Sequence, residues 1–186
     1  MSSALSVISA LLLSQAPGAR ILAVETARST LGYRVVHKLH KVRGESQAVE
    51  AKAALSADGG VLLMARVAVA SFKSGDANRD AHMQEVLETG RFPQVVLKGK
   101  ARFLAPETYP AAAKVVVEGE LDFHGRKRPL KVPLEVELKS ADEVRVTGSF
   151  TVSLDEHEVE RPSLLFMKID DACQIDFDLS LKAEGK

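Results

Sequence analysis

Period-two alternation is the feature that most narrows what this chain can become. Val95, Leu97, Gly99, Ala101 and Phe103 occupy one set of positions, while Gln94, Val96, Lys98, Lys100 and Arg102 occupy the other. The same pattern returns over residues 115–123, 130–138, 144–154 and 175–181. Successive side chains of a strand point to opposite faces, so alternation this strict means one buried face and one wet face, as in antiparallel sheet. Short polar turns at 125–127 and 140–142 make sequential strands pair with each other. About eight or nine such strands leave exposed edges unless the sheet closes, and the solutions are a closed barrel or a two-sheet sandwich.

The N-terminal half carries weaker signals. Residues 21–25 and 30–36 read as a strand pair or one bent strand, broken by polar 26–29. Residues 41–55 read as a strand in which Gly44 marks a bulge or tight bend. Asp58-Gly59-Gly60 is a hairpin signal. Residues 61–72 are almost continuously apolar, which predicts a strand covered on both faces.

Residues 71–98 break the pattern. Ser74, Gly75, Asp76 and Asn78 form a polar turn, and Asp76 or Asn78 can cap a short helix whose Met83, Val86 and Leu87 fall at helical spacing. Gly90 is the expected helix stop, and Pro93 prevents resumption. This segment is the expected lid on an all-β body and the second cover for the strand before it.

A barrel of roughly eight strands has an interior that side chains can fill or that can hold one small ligand. The inward set mixes Phe103, Phe123, Phe150 and Phe177 with Ala65, Gly99, Ala101, Gly119 and Gly148. The small residues fit a cavity or the taper of a packed barrel, and the pattern does not choose between them.

Charge and composition exclude other classes. Lys+Arg and Asp+Glu both total 25, so the basic excess that neutralises phosphates is missing and nucleic acid is not an expected partner. Cys173 is the one cysteine, which rules out an internal disulfide, and beside a strand it reads as a small apolar filler. His37 and His40 point to opposite faces of a strand, His124 sits at a turn and His157 in a polar loop, so no metal site is expected. His82 reads as structural, bonded to backbone or to Asp80, with Arg79 and Asp80 tying the turn to a strand end. There is no Gly-x-Ser-x-Gly elbow and no phosphate loop, and an enzyme is not expected. Residues 4–13, ALSVISALLL, have the length of a signal-peptide core and are too short to span a bilayer. With SQAPGA following, residues 1–19 are expected to be a signal peptide cleaved after Ala16, Gly18 or Ala19, although no basic residue precedes the run. The expected location is periplasmic or secreted.

Three stretches in order carry a family resemblance: SFKSGDANRDAHM at 71–83, RFP at 91–93 and GELDFHGRKRP at 119–129. Residues 29–44, with Tyr33, His37 and Gly44, add a fourth. Together they resemble the YceI-like family of bacterial, mostly periplasmic proteins, over most of residues 20–182. The resemblance implies a lipocalin-like barrel with a helical segment over one side, a polyisoprenoid chain such as a quinone tail in its apolar channel, and no catalytic residue set. The chain departs from the family at 151–171, where the family often has Thr-x-x-Arg-x-x-Phe-Gly. Here Glu160-Arg161-Pro162 and the apolar 164–167 are expected to form a loop and strand at the barrel mouth.

The expected fold class is therefore all-β: a single antiparallel, lipocalin-like β-barrel of about eight strands with one short helical segment, over residues 20–186. The expected function is binding, without turnover, of a long apolar lipid of polyisoprenoid or isoprenoid-quinone type, with no cofactor. The expected wall residues are Val67, Val69, Met83, Leu87, Phe92, Phe103, Phe123, Phe150 and Phe166. A homodimer is left open. The alternatives are a packed interaction module with an exposed apolar patch at 164–167, and an enzyme on a small hydrophobic substrate.

Overall fold

The computed structural model of the chain describes residues 19–37, 40–164 and 167–184. The apolar run 4–13 lies outside the described residues, as do Leu165 and Phe166. The strands are β1 (Arg20–Val24), β2 (Thr30–His37), β3 (His40–Ser46), β4 (Glu50–Leu55), β5 (Gly60–Ala68) and β6 (Gln94–Arg102). They continue with β7 (Ala111–Phe123), β8 (Arg126–Leu138), β9 (Glu143–Ser153), the two-residue β10 (Ser163–Leu164) and β11 (Met167–Lys168), and β12 (Ala172–Ala183). The helix α1 (Ala77–Val86) is the one α-helix among them.

All pairings are antiparallel. The ring β1-β4-β5-β6-β7-β8-β9-β12 closes on itself through β1–β12, an eight-stranded barrel rather than a sandwich, and β2 and β3 extend it from the edge of β12. β1 and β2 lie end to end along β12, interrupted by the 3-10 turn Thr26–Arg28. Residues 41–55 divide into β3 and β4, because Ser46 turns the chain: its Oγ accepts from the Ala48 N–H and lies 2.7 Å from Ser71 Oγ. β3 therefore leaves the barrel wall, and its Glu45 bridges to Lys73.

Two expectations from the pattern need correction. β5 is not covered on both faces: Val61, Leu63, Ala65 and Val67 look into the barrel, while Leu62 is 47% exposed and Arg66 pairs with Glu50 on the outer surface. The helix closes the barrel end instead of lying on that strand. Gly44 makes no bulge, since it stands in regular register opposite Tyr33.

The glycines of the wall serve curvature more than emptiness. Gly99 faces Gly119 across β6–β7, and a β-carbon on Gly119 would lie 2.3 Å from the Lys98 carbonyl oxygen. That approach is backbone against backbone, so no side-chain movement can relieve it.

Buried residues gather at the two barrel ends. One cluster, Leu22, Val136, Leu138, Val144 and Leu181, closes the end away from α1. The other, Leu121, Val152, Leu154, Val159 and Cys173, packs with Val86 and Leu87 of α1. The outer face carries the ion pairs Lys131–Glu118 at 2.7 Å and a two-bond Arg145–Asp178 contact at 2.7 and 2.9 Å. Such exposed pairs are screened by solvent and add little to stability.

Candidate functional site

The helix is built locally before it is useful. Asp76 caps α1 by accepting from the backbone N–H groups of Asn78 and Arg79, which have no intrahelical partner. At the other end the helix stops at Val86 with Leu87 as its C-cap, ahead of Gly90, the expected stop. Glu88 takes a left-handed φ of 44°, its N–H donates to the Glu85 carbonyl, and the Thr89 N–H donates to the Gln84 carbonyl. That is a Schellman closure with glutamate in the usual glycine position. Glu88 is held there by Arg91 at 2.9 Å and approaches His124 Nε2 at 3.5 Å.

Between the two clusters lies a cavity of about 460 Å³. Its wall is almost entirely carbon, contributed by every strand of the ring and by one face of α1: Arg79, His82, Met83, Val86 and Leu87. The barrel is therefore not packed solid. Seven of the nine expected wall residues line it: Val67, Val69, Met83, Leu87, Phe103, Phe123 and Phe150. Phe92 does not. Its ring packs edge-on against His124 with centroids 4.7 Å apart and lies under the Arg91 guanidinium, on the outside of the β7–β8 turn. Gly125 leaves the room for that ring, so Phe92 anchors the hairpin to the helix end. Phe166 is outside the described residues, whereas Pro162 and Ile169 on either side of β10–β11 reach the cavity.

Other cavity residues stand outside the nine expected wall positions. Tyr33 and Phe72 meet edge to face at 5.5 Å on the helix side, and Cys173, Ile175 and Phe177 face inward from β12. Alternation does name Ile175 and Phe177 of β12 as inward, but Tyr33 lies on the kinked N-terminal strands and Phe72 follows the 3-10 turn Val69–Ser71, and neither stretch has a clean period. Burial pushes the Tyr33 hydroxyl up to about 12, with Asp80 adding to the rise and Arg79 opposing it. Burial likewise pushes the Cys173 thiol up to about 12, so it is an inert filler at neutral pH.

Polar side chains at the helix end are fixed among themselves. Asp80 is 7% exposed, and its Oδ1 accepts from the Ser74 hydroxyl at 2.6 Å and the Ser74 N–H at 2.9 Å. The Ser74 bond is the main reason its carboxyl is held below the usual range. Arg79 Nε donates to Ser74 Oγ at 3.1 Å. His82 does not bond Asp80: it is largely exposed, with Nδ1 3.6 Å from Glu85.

His157, expected in a polar loop, is 3% exposed. With Nδ1 protonated, it donates to the Ser153 carbonyl at 2.9 Å, and His124 in the same way donates to the His157 carbonyl at 3.1 Å. Both rings flank Phe123 and knit the loop after β9 to the β7–β8 turn. Among the described residues, no group of three or more His, Cys, Asp or Glu is placed to hold a metal ion, and no helix is long and apolar enough to cross a membrane.

Comparison with known proteins places this architecture. The family model described as "YceI-like domain" matches residues 22–181. A polyisoprenoid-binding domain from Saccharophagus degradans, implicated in plant cell wall breakdown, superposes with a TM-score of 0.70 at 17% identity, covering 88% of this chain and 98% of its own. Burkholderia cenocepacia BcnA superposes with a TM-score of 0.66 at 20% identity, covering 84% and 98%. The Campylobacter jejuni YCEI protein gives 0.58 at 11% identity, covering 81% and 90%. At these identities the superpositions show a shared fold. No curated protein sequence matches.

Proposed function

This chain belongs to the YceI-like domain family, and from that premise we propose that it holds one long apolar molecule of polyisoprenoid type inside the barrel and releases it chemically unchanged. The observation that carries the proposal is the carbon-walled cavity of about 460 Å³ enclosed by all eight ring strands and α1. Each methylene moved from water into such a wall contributes about 0.8 kcal/mol, so a chain is held without specific polar contacts. The polyisoprenoid-binding domain of Saccharophagus degradans supports the choice of ligand class by sharing the fold.

A binding role also suits what lines the interior. A catalytic site needs polar groups converging on a reacting atom, and the middle of this cavity offers aliphatic and aromatic side chains. Export belongs to the same proposal: the apolar run 4–13 precedes the first residue matched by the family model, and the mature protein would work in the periplasm or outside the cell. The cavity is complete within a single chain, so the proposal needs no dimer.

The test is organic extraction of protein purified from its native envelope, followed by mass spectrometry. One isoprenoid lipid per chain is the expected result; protein free of lipid that also fails to take up farnesol ends the proposal. Intact mass of the same sample reads the N-terminus, and retention of residues 1–19 would overturn the export assignment.

A further inference from the structure

The wall around the cavity is held together unevenly. β3 pairs with β2 along its inner edge, from Leu31–Ser46 to His37–His40, but its outer edge is where the ten-stranded sheet ends. One isolated bridge holds that edge: the Glu45 N–H donates to the Lys73 carbonyl at 3.0 Å, and the Lys73 N–H donates to the Glu45 carbonyl at 2.9 Å. Beside the bridge sits a clasp of two hydroxyls. Ser71 Oγ donates to the Ala68 carbonyl at 2.6 Å, which leaves Ser46 to donate its own proton to Ser71 Oγ at 2.7 Å. Past the bridge, toward Lys41, no described residue pairs with the outer edge of β3.

This seam opens on the cavity. Val42 of β3 on one side and Phe72 on the other line it, and the Tyr33–Phe72 ring contact spans the seam from within. Arg79 and His82 also border the cavity while their side chains are 41% and 61% exposed, so apolar wall and solvent meet beside the seam. Lys52 and Arg66, the other charged residues of the lining, stand within the unbroken β4–β5 ladder.

Elsewhere the wall is shut. The β8–β9 ladder stops at Leu134–Gly148, but the buried Leu154 and Val159 pack with Leu130 of β8 there, and Arg128 Nε ties the loop by donating to the Glu156 carbonyl at 2.9 Å. Buried Leu22, Leu138, Val144 and Leu181 close the end away from α1. The helix is fixed at both of its ends, by the Asp80–Ser74 bonds and by Val86 and Leu87 against the buried cluster.

Resting on the binding reading above, we propose that the seam between β3 and Phe72–Ser74 is the gate of the cavity. The bridge and the hydroxyl clasp part, β3 moves outward with β2, and the apolar chain passes sideways into the barrel while α1 stays docked. Each parted group regains a bond to water, so the net cost of opening is small beside that of separating a strand ladder.

The experiment joins the two sides. Glu45→Cys with Lys73→Cys puts thiols on a bonded antiparallel pair, whose Cα atoms lie about 5.5 Å apart, within the span of a disulfide. Cys173, the one native cysteine, is buried and stays out of the reaction. Stopped-flow fluorescence follows uptake of N-phenylnaphthylamine by lipid-stripped protein, and dilution follows its release. The oxidised double variant is expected to exchange probe about ten-fold or more slowly than the same protein reduced, with the wild type indifferent to the oxidant. Ser71→Ala, outside the cavity lining, should speed uptake and release alike by about two- to ten-fold, the worth of one hydrogen bond, and leave equilibrium affinity unchanged. Oxidised protein that exchanges as fast as reduced overturns the gate and leaves cavity binding standing. If the disulfide does not form, unchanged rates in Ser71→Ala overturn the gate instead. Wild-type protein that takes up neither the probe nor farnesol overturns the cavity reading, and the gate falls with it.

Discussion

A β-carbon added at Gly44 would stand 2.5 Å from Cε1 of Tyr33 and 2.9 Å from its Cζ and Oη. The tyrosine ring can lie along β3 because its cross-strand neighbour has no side chain, and Phe72 blocks the other side. Gly44→Ala should therefore cost about 1–3 kcal/mol by overpacking. A lowered urea midpoint with unchanged slope would show it, and Gly44→Ala on a Tyr33→Leu background should cost less. Asp80 makes a prediction in pH. Its folded-state pKa is depressed, so its bonds to Ser74 contribute stability that is fully present above the ordinary carboxylate value of about 3.9 and is lost as pH falls through the lowered value. Thermal melts from pH 7 to 3 should be flat at first and then fall below about pH 4. Asp80→Asn should melt lower at pH 7 and lose part of that fall; an unchanged acid limb would refute the assignment.

Among the elements, α1 depends on its two ends more than on its own propensity. Ten residues are too few for a stable isolated helix, so caps and packing decide whether it forms. Asp76→Ala removes the acceptor of two orphan N–H groups and should destabilise by about 1 kcal/mol. Faster amide exchange confined to residues 77–86 would locate the effect. At the β6–β7 pair, Gly119→Ala places a β-carbon against the Lys98 carbonyl and should be more damaging than Gly90→Ala, whose β-carbon would meet nothing within 4 Å. Paired denaturation curves compare them, and equal losses would mean that the tight strand approach does not constrain the wall.

For the molecule as a whole, the void is the functional quantity. Ala65 and Ala101 line the cavity, and Ala65→Leu adds three carbons to space that is otherwise empty. Filling it should leave the fold intact, raise stability by up to about 2 kcal/mol at 0.8 kcal/mol per methylene, and reduce co-purified lipid. Mass spectrometry of the extract beside a thermal melt reads both; a destabilised variant that still carries lipid would place the guest elsewhere. Period-two alternation by itself determined the antiparallel wall from β6 to β12, because a strand's two faces are written two residues apart. Asp76 and the 71–93 motifs likewise marked the helix start and the family, since capping and turn chemistry are local. Tertiary structure alone decided the rest. Tyr33 and Phe72 converge because the chain bends between β1 and β2 and turns again at Val69–Ser71, and bends leave no period. Phe92, apolar and next to the helix, lies outside because the β7–β8 turn, far along the chain, offered its ring a seat over Gly125. The wall glycines, which the pattern left open between a cavity and a taper, are places where neighbouring strands touch. Whether a barrel is hollow depends on the distance between walls, and no residue's identity records how far away the opposite strand will be.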